Sequence, residues 1–222
     1  MKKVKTHGIN KASLQTKLIR LFFITSIIPI LFLSLFFYYN ISDTLRKNTE
    51  ELTINNLEQT GNSLKLRIES YEDLLYQMYT DDSIVALIDK INNDEDLAVS
   101  VNQLRRLMRG LLYTKEHIRS ITIITSQGAI ITYDQLTSVT NRNSWIENFS
   151  LTKEQLYEEV AKDNYTHIFP TEFGTNFANE DFYLFHIAHR IIDYKDLQKK
   201  NGIVIISIDE DLLKEVCLTH ND

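Results

Sequence analysis

The stretch Ile118–Tyr133, IRSITIITSQGAIITY, decides the fold. Ile118–Thr125 is rich in β-branched residues, Ser126-Gln127-Gly128 is a turn, and Ala129–Tyr133 resumes the apolar run. β-Branched side chains are stiff at χ1 and pack well on a pleated surface, and two such runs joined by a short glycine-containing loop form a hairpin. C-terminal to it, residues 134–151 are polar and loop-like around Trp145. Leu151–Asp163 reads as a helix, with Thr152 and Gln155 spaced for a capping box. Thr166–Phe169 is a short strand ended by Pro170, residues 171–180 are loop, Phe182–Asp193 is a strand, and Ile203–Ile208 is the last strand. Asp209, Glu210 and Asp211 open a final helix, where acids suit the N-terminal dipole. The fold class expected is α+β, an antiparallel sheet of about five strands with helices on one side and one end.

N-terminal to the hairpin the period is helical. Residues 41–80 contain no proline and one glycine, and Leu64, Ile68, Tyr71, Leu75 and Met78 step 4, 3, 4, 3. That seam suits either a helix packing along its own domain or a stalk that pairs with a second copy. Asp81 or Asp82 can cap a helix over Ser83–Ile91, and a further helix is expected at about 95–115. Arg105, Arg106 and Arg109 on that helix read as a solvated face.

Further out lies Leu21–Tyr39, LFFITSIIPILFLSLFFYY, with no charge on any face. Nineteen helical residues at about 1.5 Å each span roughly 28 Å, close to the hydrocarbon thickness of a bilayer. Residues 1–20 hold six basic residues and no acid, so the N-terminus is expected in the cytoplasm and residues 43–222 outside the cell membrane. A cleaved signal peptide is the rival, but no small-residue cleavage site follows the run. All 30 acids lie in residues 43–222, against the 18 basic residues left of 24, a net charge of −12. That charge argues against nucleic acid as a partner.

The boundaries expected are a basic tail over 1–20, a transmembrane helix over 21–39, a helical stalk over 40–116, a sheet module over 117–217, and the start of a following module at 218–222.

No catalytic constellation, metal site or cofactor fingerprint is expected. The six glycines are isolated, so no phosphate loop or nucleophile elbow exists, and a single cysteine permits no intrachain disulfide. His186 and His189 sit three apart on a strand, hence on opposite faces. Cys217 reads as a buried thiol on an apolar helix face. A binding pocket is the better candidate. Tyr133, Asp134, Arg142 and Trp145 cluster near a sheet edge, and aromatics with an arginine and an acid can close on a small zwitterion or a sugar. The alternative is that Trp145 plugs the core and Arg142 is solvated. Asp193, after the long strand, is the remaining candidate acid.

Four phrases together resemble the N-terminal part of bacterial sensor histidine kinases of the YesM type. They are LQTKLIRLFFITSIIPILFLSLFFYYNIS at 14–42, YEDLLYQMYTDDSIVALIDKINND at 71–94, HIRSITIITSQGAIITYD at 117–134 and NGIVIISIDEDLL at 201–213. The resemblance implies an extracellular Cache domain, a PAS-like sheet preceded by a long helix. It also implies a second sheet module, a return transmembrane helix, a HAMP linker, a phosphoacceptor-histidine domain and an ATP-binding domain beyond Asp222. This chain holds no kinase motif, so the enzyme expected is the parent histidine kinase. Amino-acid-binding Cache domains carry a tyrosine, an arginine, a tryptophan and a later acid, and Tyr133, Arg142 and Trp145 resemble the first three of that set. The Arg-to-Trp spacing differs from the family's by one residue, so a sugar or a peptide stands beside an amino acid as the ligand. The other partners implied are the lipid bilayer, a second copy in a homodimer, and a response regulator reached through the kinase part. A chemotaxis receptor, a membrane-bound transcription regulator and a stand-alone surface binding protein are the alternatives.

Overall fold

The computed structural model describes residues 11–135, 145–147, 149–175 and 181–218. The chain divides into two compact units, residues 1–58 and 59–222.

In the first unit, helix α1 (Lys11–Phe22) passes through a π turn (Phe23–Ile27) into helix α2 (Ile28–Thr80). The π turn has a local cause. Pro29 has no N–H to give the Thr25 carbonyl, and its ring crowds that carbonyl. Widening the helix by one residue relieves the clash. The Thr25 hydroxyl bonds back to the Leu21 carbonyl at 2.8 Å. This is the one helix among the described residues long and apolar enough to cross a membrane, and none of its apolar stretch is buried.

The second unit begins within α2 at Gln59. Here α2 buries Tyr71, Leu74, Leu75 and Met78 against the domain's own sheet, so this part of the seam packs inward. The Asp81 carboxylate accepts from the Ser83 and Ile84 amides and starts helix α3 (Asp82–Asn92). Helix α4 (Leu97–Leu112) lies beside it and buries Leu104, Met108 and Leu112.

The sheet has five antiparallel strands: β1 (Ile118–Thr125), β2 (Ile130–Asp134), β3 (His167–Thr175), β4 (Asp181–Arg190) and β5 (Gly202–Asp209). Their spatial order is β2-β1-β5-β4-β3, so the last strand lies in the middle. At the β1–β2 turn Gly128 has φ +78°, a left-handed conformation that favours glycine. Helix α5 (Lys153–Ala161) starts with the reciprocal capping box of Thr152 and Gln155, and helix α6 (Asp211–Leu218) follows β5. The fold is α+β, a long apolar N-terminal helix followed by a five-stranded antiparallel sheet with flanking helices.

Three expectations need correction. Helices cover both faces of the sheet, not one. Ile121, Ile123, Ile187, Val204, Ile206 and Ile208 join the core of α2, α3 and α4. Ile124, Leu184, Ala188, Ile203 and Ile205 join α5, Trp145 and Ile146 on the other face. Every residue of β5 is buried as a result. Strand β3 does not stop at Pro170 but runs to Thr175. It lies at the sheet edge, and its pairing register shifts between Phe169 and Glu172, so proline removes no ladder bond there. Finally, Cys217 is exposed, while Leu212 and Val216 carry the buried face of α6.

Candidate functional site

Direct cross-strand partners point to the same face of a sheet. Asp134 pairs with Ser120, Ser120 with Ser207, Ser207 with His186, and His186 with Phe169. One row of the α5-side face therefore reads Asp134, Ser120, Ser207, His186, Phe169 across all five strands. Neighbouring rows on this face are largely aliphatic or threonine, so the row is a polar belt within an apolar surface.

Ser120, Ser207 and His186 are at most 1% exposed. His186 Nδ1 lies 3.0 Å from Ser207 Oγ. The imidazole is stacked on Trp145, with ring centres 4.0 Å apart and planes at 28°, and meets the edge of Phe149 at 5.0 Å. Phe149 in turn packs edge-on against Trp145 and Phe169. The adjoining Ser150 is tied to β3, its amide and hydroxyl both donating to the Glu172 carboxylate. Burial pushes the His186 pKa down to about 3, so the ring is neutral at physiological pH.

Among the described residues, Ser120 Oγ, His186 Nε2 and Trp145 Nε1 are buried and have no hydrogen-bond partner. A buried polar group without a partner is costly, and the grouping of three along one row makes this face the candidate site. The space left beside His186 and Trp145 is small, about 10 Å³, enough for about one water, and Ser120 does not line it. It is closed by Phe182, Leu184 and Glu172 as well. Gly174 makes this closure possible. A Cβ there would stand 2.3 Å from the Phe182 ring, which lies over the bare backbone.

At the edge of the belt, Asp209 faces Leu184 and is 6% exposed. Arg119 grips its Oδ2 with Nε at 2.7 Å and an Nη at 2.6 Å.

Of the residues expected to form a pocket, the described ones do not all share one face. Trp145 is in the site. Tyr133 packs against the core on the opposite face, where burial and the Tyr113 hydroxyl raise its pKa. Alternation along β2 puts its neighbour Asp134 on the Trp145 face instead. Asp193 lies beyond the end of β4, 9% exposed, where its carboxylate accepts from the Lys195 amide in a turn. Arg142 lies outside the described residues. His186 and His189 do lie on opposite faces: His189 stacks on Tyr79 of α2, with ring centres 3.7 Å apart. His186, Ser120 and Ser207 were not among the residues expected in a pocket. Their signal was present, since each is a polar residue at a buried position of an apolar strand.

No protein-family model and no curated protein matches the sequence. Solved structures do match. The sensor domain of the Vibrio cholerae histidine kinase DctB superposes with a TM-score of 0.52 at 9% identity, covering 73% of this chain and 57% of that one. The extracellular domain of vpHK1S-Z8, described as a histidine kinase, gives a TM-score of 0.50 at 14% identity, over 77% and 62% of the two chains. The periplasmic sensory domain of the Campylobacter jejuni chemoreceptor Tlp1 gives 0.42 at 11% identity, over 68% and 59%. The chain thus spans about three fifths of the length of these structures. The sheet and its helices have the fold of bacterial extracytoplasmic sensor domains.

Proposed function

We propose that the chain is the membrane-anchored, ligand-sensing part of a bacterial sensor histidine kinase of the YesM type, with a Cache-like sheet module outside the cell. The observation that carries the reading is the buried belt of Ser120, Ser207 and His186 under Trp145, with three polar atoms that no described residue meets. The sensor-domain fold supports it. The basic residues before Leu21 support a cytoplasmic N-terminus and an external position for residues 43–222.

Strand β4 connects the site to the helix. His186 faces the site, while its neighbours Phe185 and Ile187 face the core that holds Tyr71, Leu75 and Met78 of α2. A ligand that moves β4 therefore shifts the packing of α2, which runs unbroken from Ile28 to Thr80. In a homodimer such a shift biases one of two arrangements, and the response regulator reads the result through the kinase part.

The test is the melting temperature of the chain in detergent micelles against panels of amino acids, sugars and short peptides. A ligand at about 100 times its Kd adds about 2.7 kcal/mol, a rise of several degrees. A melting temperature that no compound raises would refute the ligand-sensing reading.

A further inference from the structure

Helices α3 and α4 lie side by side, and between them runs a groove of about 380 Å³. Small-molecule sites span roughly 300–1,000 Å³, so the groove is of ligand size. Residues three and four apart share a helix face, so Ala86, Leu87 and Lys90 come from one stripe of α3, and Arg106 and Leu107 from one stripe of α4. Ala86, Leu87 and Leu107 make the floor apolar, and Leu107 stays 40% exposed on it. The groove belongs to the helical layer on the α2 side of the sheet, whereas the belt under Trp145 lies on the α5 side.

The charge of this groove runs against that of the domain. Residues 43–222 hold 30 acids and 18 basic residues, yet the groove is lined by Lys90 and Arg106 and by no acid. Elsewhere in the unit Arg67, Arg119, Lys162, Lys199 and Lys214 each meet a carboxylate. Lys90 and Arg106 make no ion pair with any described residue. Of the three arginines expected to form a solvated face, Arg106 is the one that lines the groove. Two like charges over one apolar floor repel each other, and an anion between them turns repulsion into attraction.

We propose that the α3–α4 groove binds a small amphiphilic carboxylate, an acid with an aryl or alkyl body. The carboxylate meets Arg106 and Lys90, and the body covers Ala86, Leu87 and Leu107. The planar guanidinium fork matches a carboxylate with two parallel N–H···O bonds, and the lysine adds a point charge. Ser83 and Gln103 complete the lining with neutral hydrogen-bonding groups. An organic cation is repelled here, an inorganic anion leaves the floor uncovered, and a polyol would set hydroxyls against leucine. The proposal goes beyond the ligand-sensing reading of the belt and does not rest on it.

The experiment uses the full chain in phosphatidylcholine nanodiscs, with empty discs as the blank for probe that enters the lipid. Binding of phenylbutyrate is followed by isothermal titration calorimetry. Phenylbutyramide keeps the body and removes the charge, and acetate keeps the charge and removes the body. Saturable binding of phenylbutyrate is expected, tighter than either control by about tenfold or more. Arg106→Gln and Leu107→Ser, both at exposed positions, should each weaken it by about tenfold while the melting temperature of the sheet unit is unchanged. Lys90→Gln should weaken it less, since it removes a point charge and no fork. Equal binding of the amide or of acetate overturns the proposal, as does phenylbutyrate binding that survives both Arg106→Gln and Leu107→Ser. No binding of phenylbutyrate also overturns it. In that case light scattering of the discs and titration with an acidic amphipathic helical peptide assign the groove to a second copy or to a protein partner instead. None of these outcomes touches the ligand-sensing reading, which is tested by its own compound panels.

Discussion

Lowering the pH from 6.5 to 4.5 destabilises the sheet unit through one buried ring, His186. In the unfolded chain this histidine titrates near 6.5, whereas in the folded protein burial depresses it to about 3. Below pH 6.5 the unfolded state takes up a proton that the folded state refuses. Stability due to this group is therefore full above pH 6.5 and falls as the pH drops toward 3. The slope rises from about 0.7 kcal/mol per pH unit at pH 6.5 toward 1.4 below it, so the two units cost about 2.3 kcal/mol, a large share of a stability of about 5–15 kcal/mol. The comparison is with His186→Phe, which keeps a flat ring between Trp145 and Phe149 and loses the Ser207 bond, costing about 1 kcal/mol at pH 7.5. Asp163 and Asp211, whose pKa values are lowered by the Tyr165 amide and by Lys214, titrate alike in both proteins and cancel. The assay is urea unfolding in detergent micelles at pH 7.5, 6.5, 5.5 and 4.5, read by Trp145 fluorescence. The wild type should lose about 2–3 kcal/mol more than the variant between pH 6.5 and 4.5. Parallel pH profiles for the two proteins would refute a buried, neutral His186.

Three further outcomes are expected. Gly202→Ala puts a Cβ 2.8 Å from the Ile124 carbonyl oxygen at the start of the central strand, and the denaturation midpoint should drop by the equivalent of about 2–3 kcal/mol. Leu75→Ala should cost about 3 kcal/mol because the side chain is fully buried, while Leu66→Ala on the same helix, 67% exposed, should change stability by less than about 0.5 kcal/mol. Equal effects would mean that α2 does not pack on the sheet through this face. Thr152→Ala breaks the capping box of α5 and should cost about 1 kcal/mol by urea titration, with Thr152→Ser restoring most of it.

Much of this protein was legible in local pattern. The Gly128 turn, the Asp81 cap, the Thr152–Gln155 box and the uncharged run Leu21–Tyr39 each depend on neighbours within a few residues, and all but the run's relation to a bilayer are seen directly in the structure. Pro170 misled because proline is read as a strand breaker. At an edge strand with a register shift it breaks nothing. Cys217 misled because helix periodicity alone does not say which side of a short helix meets the core.

The candidate site was less legible, for a reason specific to sheets. Tyr133 and Trp145 are 12 residues apart and look like neighbours, yet they stand on opposite faces. Ser120, Ser207 and His186 are spread over 87 residues and are direct neighbours in one row. The class of most segments was set by the sequence, since helix period, strand period, caps and a charge-free span depend on local sterics and on burial of one face; the edge strand through Pro170 was the exception. Only the tertiary structure decided that the last strand enters the middle of the sheet. Strand order and register are long-range pairings, and they alone determine which alternate side chains share a face.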